Sequence, residues 1–338
     1  MSFDDYYFCD NCGVRSSTKH YCFDCDYCKK CCLCPPKFFN SKLTFHEAST
    51  RQRRQNKSQR LISAEIEVAS VTGDKKAIEK VVRKWNGNIV RDASLPESGF
   101  EINTAPAGGD IYVKQIRDIC GKLAKANARI SSRCGLHVHL DARDYNFNDL
   151  NRLIKVYAAI EPALFSMVPA NRHTSKYCIK CGDKLEQSIQ NSYNHLQLKE
   201  KVITAVYNEP NSIAYRDTKR GAGPGTGRYY ALNLHSWFYR GTIECRLFDG
   251  TVDPDEIINW GVMWAKVLDF SLHSSDDEIA RVANKNKSRD TLINIVNDDN
   301  LAMFIDYRTK LNGKAKKEKK LPDAFLQSLG LAELDTNL

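Results

Sequence analysis

The residues whose types and spacing could do chemistry centre on Cys134-Gly-Leu-His137-Val-His139-Leu-Asp141. Side chains alternate along an extended strand, so His137 and His139 project to the same side. Two other stretches repeat the device. Glu65-Ile-Glu67 places two carboxylates on one face, and Glu244-Cys-Arg246 places a carboxylate and a guanidinium on one face. Gly99-Phe-Glu101-Ile-Asn103 adds a further strand-borne carboxylate. Glu65, Glu67, Glu101, His137 and Glu244 together make a donor set that suits Mg²⁺, with the imidazole leaning it toward Mn²⁺. Arg228, Arg246 and the glycine-rich run at 220–228 add donors for phosphate oxygens. Each pair alone reads equally well as a solvated strand face or a same-face ion pair. Their joint occurrence points to one metal and phosphate site.

These residues need strands to carry them and helices to cover the strands. Alternation predicts a strand over 61–71, and the spacing of Ile78, Val81, Val82 and Trp85 predicts a helix over 75–85. Strands are expected at 89–93 and 99–103, then an amphipathic helix over 111–126 and the strand of the His-x-His motif. A long helix is expected over 148–167, with Asn146, Asn148 and Asp149 available to cap it. Residues 168–227 read as irregular. Residues 229–236 and 242–248 read as two strands around a turn near Arg240-Gly241, followed by a helix over 254–273 and short helices beyond. This order predicts an α+β domain with a predominantly antiparallel sheet flanked by helices.

Thirteen cysteines occur in the 338 residues, and eight of them, Cys9, Cys12, Cys22, Cys25, Cys28, Cys31, Cys32 and Cys34, crowd into one short N-terminal segment. Two-residue gaps let both sulfurs of a pair reach one tetrahedral ion, so the segment is read as a zinc-binding module. Sequential and interleaved pairings both remain open, and His20 could replace a thiol. A segment this small has too little core to fold without a metal staple. Cys178-x2-Cys181 has three readings: ligands of a further zinc, redox-capable thiols or packed cysteines.

The expected organisation is a zinc module over 1–35, a basic polar linker over 36–60, a catalytic domain over 61–275 and a helical, lysine-rich extension over 276–338. The formal charge of +9 favours an acidic or nucleic-acid partner. Each four-thiolate zinc site carries about −2, so two would bring it to roughly +5. With no apolar run of membrane-spanning length and no signal-like N-terminus, the expectation is a cytoplasmic protein without a membrane partner.

Taken in order, Glu65-x-Glu67, Gly99-Phe-Glu101, Cys134-Gly-Leu-His-Val-His139, Asn171-Arg172 with Tyr177-Cys178, Arg228-Tyr-Tyr-Ala-Leu-Asn233 and Thr242-Ile-Glu-Cys-Arg246 resemble the amidoligase family over about 61–270. These are carboxylate–amine ligases with a glutamine synthetase-like fold. The resemblance implies ATP and two divalent metals in an open, barrel-like sheet. Glu67 and Glu101 resemble ligands of one metal, and Glu65, His137 and Glu244 ligands of the other. His139 resembles the histidine that meets the nucleotide phosphates. Arg228 and Arg246 resemble the arginines at the transferred phosphate and the acyl-phosphate. Arg172 falls where the family has a substrate-binding arginine pair, and here the second member is His173.

The expected reaction is ATP-dependent formation of an amide or isopeptide bond through an acyl-phosphate, from an acid and an amine that could include a peptide or protein. Cys134 is then a packed residue, because this chemistry requires no thiol. The competing readings are a zinc-bearing nucleic-acid or protein adaptor with an inactive ligase-like domain, and a metal-dependent hydrolase using the same carboxylates. The zinc module could hold a macromolecular partner in either ligase or adaptor.

Overall fold

The computed structural model describes residues 6–9, 12–17, 21–22, 27–28, 60–190, 195–207, 227–284 and 288–313. The glycine-rich run before Gly227, the linker at 36–59, the thiols of Cys22, Cys25, Cys31, Cys32 and Cys34, and most of the lysine-rich tail lie outside that description.

Near the N-terminus, β1 (Tyr6–Phe8) pairs with β2 (Arg15–Ser17), and β3 (Tyr21–Cys22) pairs with β4 (Tyr27–Cys28). The body opens with β5 (Ile62–Val68), α1 (Lys75–Lys84), β6 (Asn88–Val90), β7 (Phe100–Asn103), α2 (Gly109–Lys125), β8 (Gly135–Asp141) and α3 (Phe147–Ser166). This is the order that periodicity predicts. Asp74 caps α1 by accepting from Lys76 N and Ala77 N, and Asn146 with Asp149 forms a reciprocal capping box on α3.

Six strands form one sheet in the order β6-β7-β5-β8-β10-β9, with every pairing antiparallel. Here β9 is Leu232–Asn233 and β10 is Thr242–Asp249. One face of the sheet presents Ile66, Val68, Ile102, Leu136, Val138, Leu140, Ile243 and Leu247, all nearly or fully buried. Each such side chain taken out of water contributes about 1.5–3 kcal/mol. On this side α8 (Pro254–His273) brings Ile257, Trp260, Trp264 and Leu268 into the core.

Two expectations fail. Residues 229–236 do not form a strand paired through a tight turn with 242–248. Only β9 is extended, and α7 (His235–Arg240) follows it. The aromatic run suggests β structure, but Trp237 and Phe238 are fully buried, with Trp237 against Phe147 and donating to the Ala142 carbonyl at 3.0 Å. Tertiary packing overrides the local preference. Gly241, at φ 77°, ends α7 in the left-handed region and turns the chain into β10. The span 168–227 is also not irregular throughout. It holds α4 (Ala170–His173), α5 (Gly182–Ile189) and α6 (His195–Tyr207).

Helices α9 (Asp276–Asn284), α10 (Arg289–Val296) and α11 (Asp299–Gly313) place Ile279, Leu292, Phe304 and Ile305 in the same core as the sheet. Arg60, which composition assigns to the polar linker, is buried. It donates to the Asp141 carbonyl at 2.7 Å and forms ion pairs with Asp144 and Asp269.

Candidate active site

The face opposite the apolar core carries the chemistry. Register places Glu67 across from Glu101, and Glu65 between Asn103 on β7 and His137 on β8. On β10, Glu244 lies between His139 on β8 and Asn233 on β9. Because side chains repeat every two residues, these groups share one face of the sheet, and the β10–β8 register shifts between Cys245 and Phe248, beside Arg246.

Two acidic groups result. Donor atoms of Glu65, His139 and Glu244 lie within 4.8 Å of one another, as do those of Glu67, Asp92 and Glu101. His137 stands between the groups. Its Nδ1 is 3.0 Å from Glu65 and 3.9 Å from Glu244, and its Nε2 is 3.8 Å from Glu67. The structure therefore gathers Glu65, Glu67, Glu101, His137, His139 and Glu244 on one face and adds Asp92. That residue lies in the loop after β6, where no spacing signal marks it.

Supporting contacts fix these side chains. Glu65 Oε1 meets His139 Nε2 at 3.1 Å, while the other ring nitrogen of His139 faces Thr242 Oγ1 at 3.1 Å and Ser236 Oγ at 3.3 Å. Asn233 donates to Glu244 at 2.6 Å, Asn103 to Glu101 at 2.8 Å, and the Gly135 backbone N–H to Glu67 at 2.6 Å. Asn103 could have been found by period two from Glu101, and Asn233 closes the quoted Arg228–Asn233 stretch. Thr242 opens the quoted Thr242–Arg246 stretch two residues before Glu244, whereas Ser236 carries no such signal.

Arg246 bonds Glu244 and donates through Nε to the Tyr177 carbonyl at 3.2 Å. Arg172, buried, donates to the carbonyls of Leu247 at 3.0 Å and Arg246 at 2.7 Å, so it braces β10 beneath the Arg246 side chain. Arg228 sits in a single turn of 3₁₀ helix, Gly227–Tyr229, with its guanidinium 5.7 Å from the Tyr229 ring centroid. The structure does not join Arg228 to the carboxylate groups by any contact among the described residues.

The carboxylates are electrostatically unlike one another. Burial alone would raise Glu65, yet His139 and His137 hold it well below the usual carboxylate range. Burial also acts to raise Glu244, but Arg246, with His139 and His137, brings it down to about 2. Glu101 goes the other way. Burial, then the charges of Glu65, Glu67 and Asp92, push it up to about 8 against the Asn103 hydrogen bond. For Arg246, burial would favour the neutral form, but Glu244 and Glu65 raise its pKa and keep it charged. Converging buried carboxylates with a destabilised charge among them fit a divalent cation such as Mg²⁺ or Mn²⁺.

Residues 43–268 match the family described as "Putative amidoligase enzyme". The chain belongs to this amidoligase family. No curated protein matches the sequence. Among solved structures, the chain is similar to a bifunctional glutathione synthetase from Pasteurella multocida, with 12% identity and a TM-score of 0.39. The similarity covers 80% of this chain and 49% of that one, so this chain spans about half of that protein's length.

In this amidoligase chain, Cys178 and Cys181 are buried in the main core. Cys178 Sγ donates to the Arg172 carbonyl at 3.3 Å, and the Cys181 backbone N–H donates to Glu161 at 2.7 Å. Burial pushes the Cys181 thiol well up, with Glu161 adding to the effect. Among the described residues, neither cysteine belongs to a group of three side chains able to hold a metal. Cys134 is buried beside Ala69 and Leu95, with Ser131 Oγ at 3.6 Å. No helix among the described residues is long and apolar enough to cross a membrane.

Proposed function

We propose that the chain is an ATP-dependent carboxylate–amine ligase with a glutamine synthetase-like sheet, working through an acyl-phosphate. The observation that carries this reading is the set of groups gathered on one sheet face. It places two buried acidic groups beside a charged arginine, Arg246, that is anchored at Glu244 and at the Tyr177 carbonyl.

Glu65, His139 and Glu244 would hold one divalent ion, with His139 in the ligand place that the resemblance gives to His137, and Glu67, Asp92 and Glu101 would hold a second, with His137 between them. Such ions, when bound, neutralise polyphosphate charge. The remaining roles belong to the chain. Thr242 and Ser236 orient the His139 ring, and Asn233 orients Glu244. Arg246 supplies a fixed positive charge for the phosphoryl group in transit, where preorganised charge is most effective. Arg228, beside the Tyr229 ring, would meet the same anion.

A substrate carboxylate attacks the γ-phosphorus of ATP and releases ADP. The amine then attacks the acyl carbon, inorganic phosphate leaves, and the proton lost by nitrogen passes to a carboxylate or to water. Zinc at the N-terminal cysteines belongs to the same proposal as a structural staple rather than a catalytic group. Screening amino acids, polyamines and peptides for ADP release tests the reading. A ligase releases ADP over many turnovers only with both acid and amine present, because the amine must consume each acyl-phosphate before the next ATP reacts, and Glu244→Ala or His137→Ala abolishes that turnover while leaving the fold intact. ADP release that needs neither substrate, or wild-type turnover in either variant, overturns it.

A further inference from the structure

We infer that Cys9, Cys12 and Cys28 are ligands of one structural zinc ion, which joins the first and third Cys-x2-Cys pairs and passes over the second. This rests on the zinc reading of the N-terminal segment and is independent of the ligase reading.

The three sulfurs lie within 4.8 Å of one another, and Cys12 Sγ is 3.9 Å from Cys28 Sγ. A disulfide would bring that pair to about 2.05 Å. Two thiolates on a tetrahedral zinc, each about 2.3 Å from the metal, stand about 3.8 Å apart. The observed spacing is that of a tetrahedron's edge.

The backbone is shaped for the same purpose. Gly13 N–H donates to the Cys9 carbonyl at 2.8 Å, and Cys9 N–H to the Val14 carbonyl at 3.0 Å. Gly13 has φ 69°, a left-handed conformation that closes the turn and folds Cys12 back under Cys9. Cys28 is delivered by a different hairpin. It stands opposite Tyr21 in the β3–β4 register, and the Tyr21 ring stacks on Tyr7 of β1 with centroids 4.9 Å apart.

Among its described residues the segment buries little apolar surface. Its buried cluster consists of Cys9 and Cys28, while Tyr6, Phe8 and Val14 are exposed. Without an apolar core, metal–thiolate bonding supplies the folding free energy.

A pairing follows from coordination number. With three places filled by Cys9, Cys12 and Cys28, a four-coordinate ion has one place left, so Cys22 and Cys25 cannot both serve it. If a second ion binds the remaining cysteines, the ligands of the two ions would alternate along the chain rather than follow in sequence.

Full-length protein with its zinc content quantified, treated stepwise with chelator and an alkylating reagent and read by peptide mass spectrometry, tests this. Cys9, Cys12 and Cys28 are expected to stay protected together and to become labelled together as about one equivalent of zinc leaves. The Cys9→Ser/Cys28→Ser double variant is expected to lose the same single equivalent as Cys28→Ser alone. Labelling of Cys9 and Cys12 together with Cys22 and Cys25 while Cys28 stays protected overturns the pairing and leaves the zinc reading standing. Protein that carries no zinc, with all its cysteines alkylated at once, overturns the zinc reading itself. If a single substitution unfolds the segment and releases all its metal, the wild-type labelling order still decides between the pairings.

Discussion

His139 Nε2 faces Glu65 Oε1 at 3.1 Å, and Thr242 Oγ1 lies at the same distance from the ring's other nitrogen. A hydroxyl that accepts from Nδ1–H lets Nε2 offer its lone pair to a cation that enters between the ring and the acidic group, which is how an outer partner fixes a ligand tautomer. Thr242→Val keeps the shape and removes the oxygen. It should weaken Mn²⁺ binding by ~10-fold, since Ser236 retains part of the role, and leave the circular dichroism spectrum unchanged. Unaltered Mn²⁺ affinity by calorimetry would show that the hydroxyl does not orient the ring.

Glu101, pushed up to about 8 by burial and its acidic neighbours, is mostly protonated near neutral pH before a cation arrives. A metal ligand must be the carboxylate. Binding should therefore release a proton, and apparent affinity should rise with pH up to about 8 and then flatten. Calorimetry in buffers of different ionisation enthalpy measures the proton directly. Equal affinity on both sides of that value would contradict the assignment.

Asp253 caps α8 by accepting from Asp255 N and Glu256 N, yet burial, with Glu256 adding to it, raises its carboxyl to about 6. A raised folded-state pKa means that its stabilising contribution is complete below the unfolded value of about 3.9 and is lost as pH rises through about 6. Asn caps as well as Asp and carries no charge. Asp253→Asn should gain about 1–3 kcal/mol relative to wild type between pH ~4 and pH ~7. Urea unfolding at the two pH values measures this, and a constant difference would refute it.

Arg60 is buried with two ion-pair partners, Asp144 and Asp269, that keep some contact with water. Burial disfavours its charge, but the Tyr145 and Asp144 interactions, with that of Asp269, raise its pKa overall. Arg60→Ala should cost on the order of 2 kcal/mol, below the full penalty of breaking a buried pair because the carboxylates can rehydrate. A chain shortened to begin after residue 60 should show the same loss in thermal unfolding. If both melt like wild type, Arg60 is not an anchor.

What the sequence by itself determined is local. Period two put Glu65 with Glu67, His137 with His139, and Glu244 with Arg246 on common faces, because alternation is a property of any strand. The capping residues at 146–149 marked a helix start because a cap acts within one turn. Alternation names a face and never a neighbour, so cross-strand partners such as His139 and Glu65, 74 residues apart, depend on sheet order and register. Only the tertiary structure could therefore set His139 between Glu65 and Glu244, bring Asp92 from a loop to Glu67 and Glu101, and turn residues 235–240 into a helix by burying Trp237 and Phe238. Likewise, Arg60 reads as linker by composition and is buried because Asp141, Asp144 and Asp269 converge on it from distant parts of the chain.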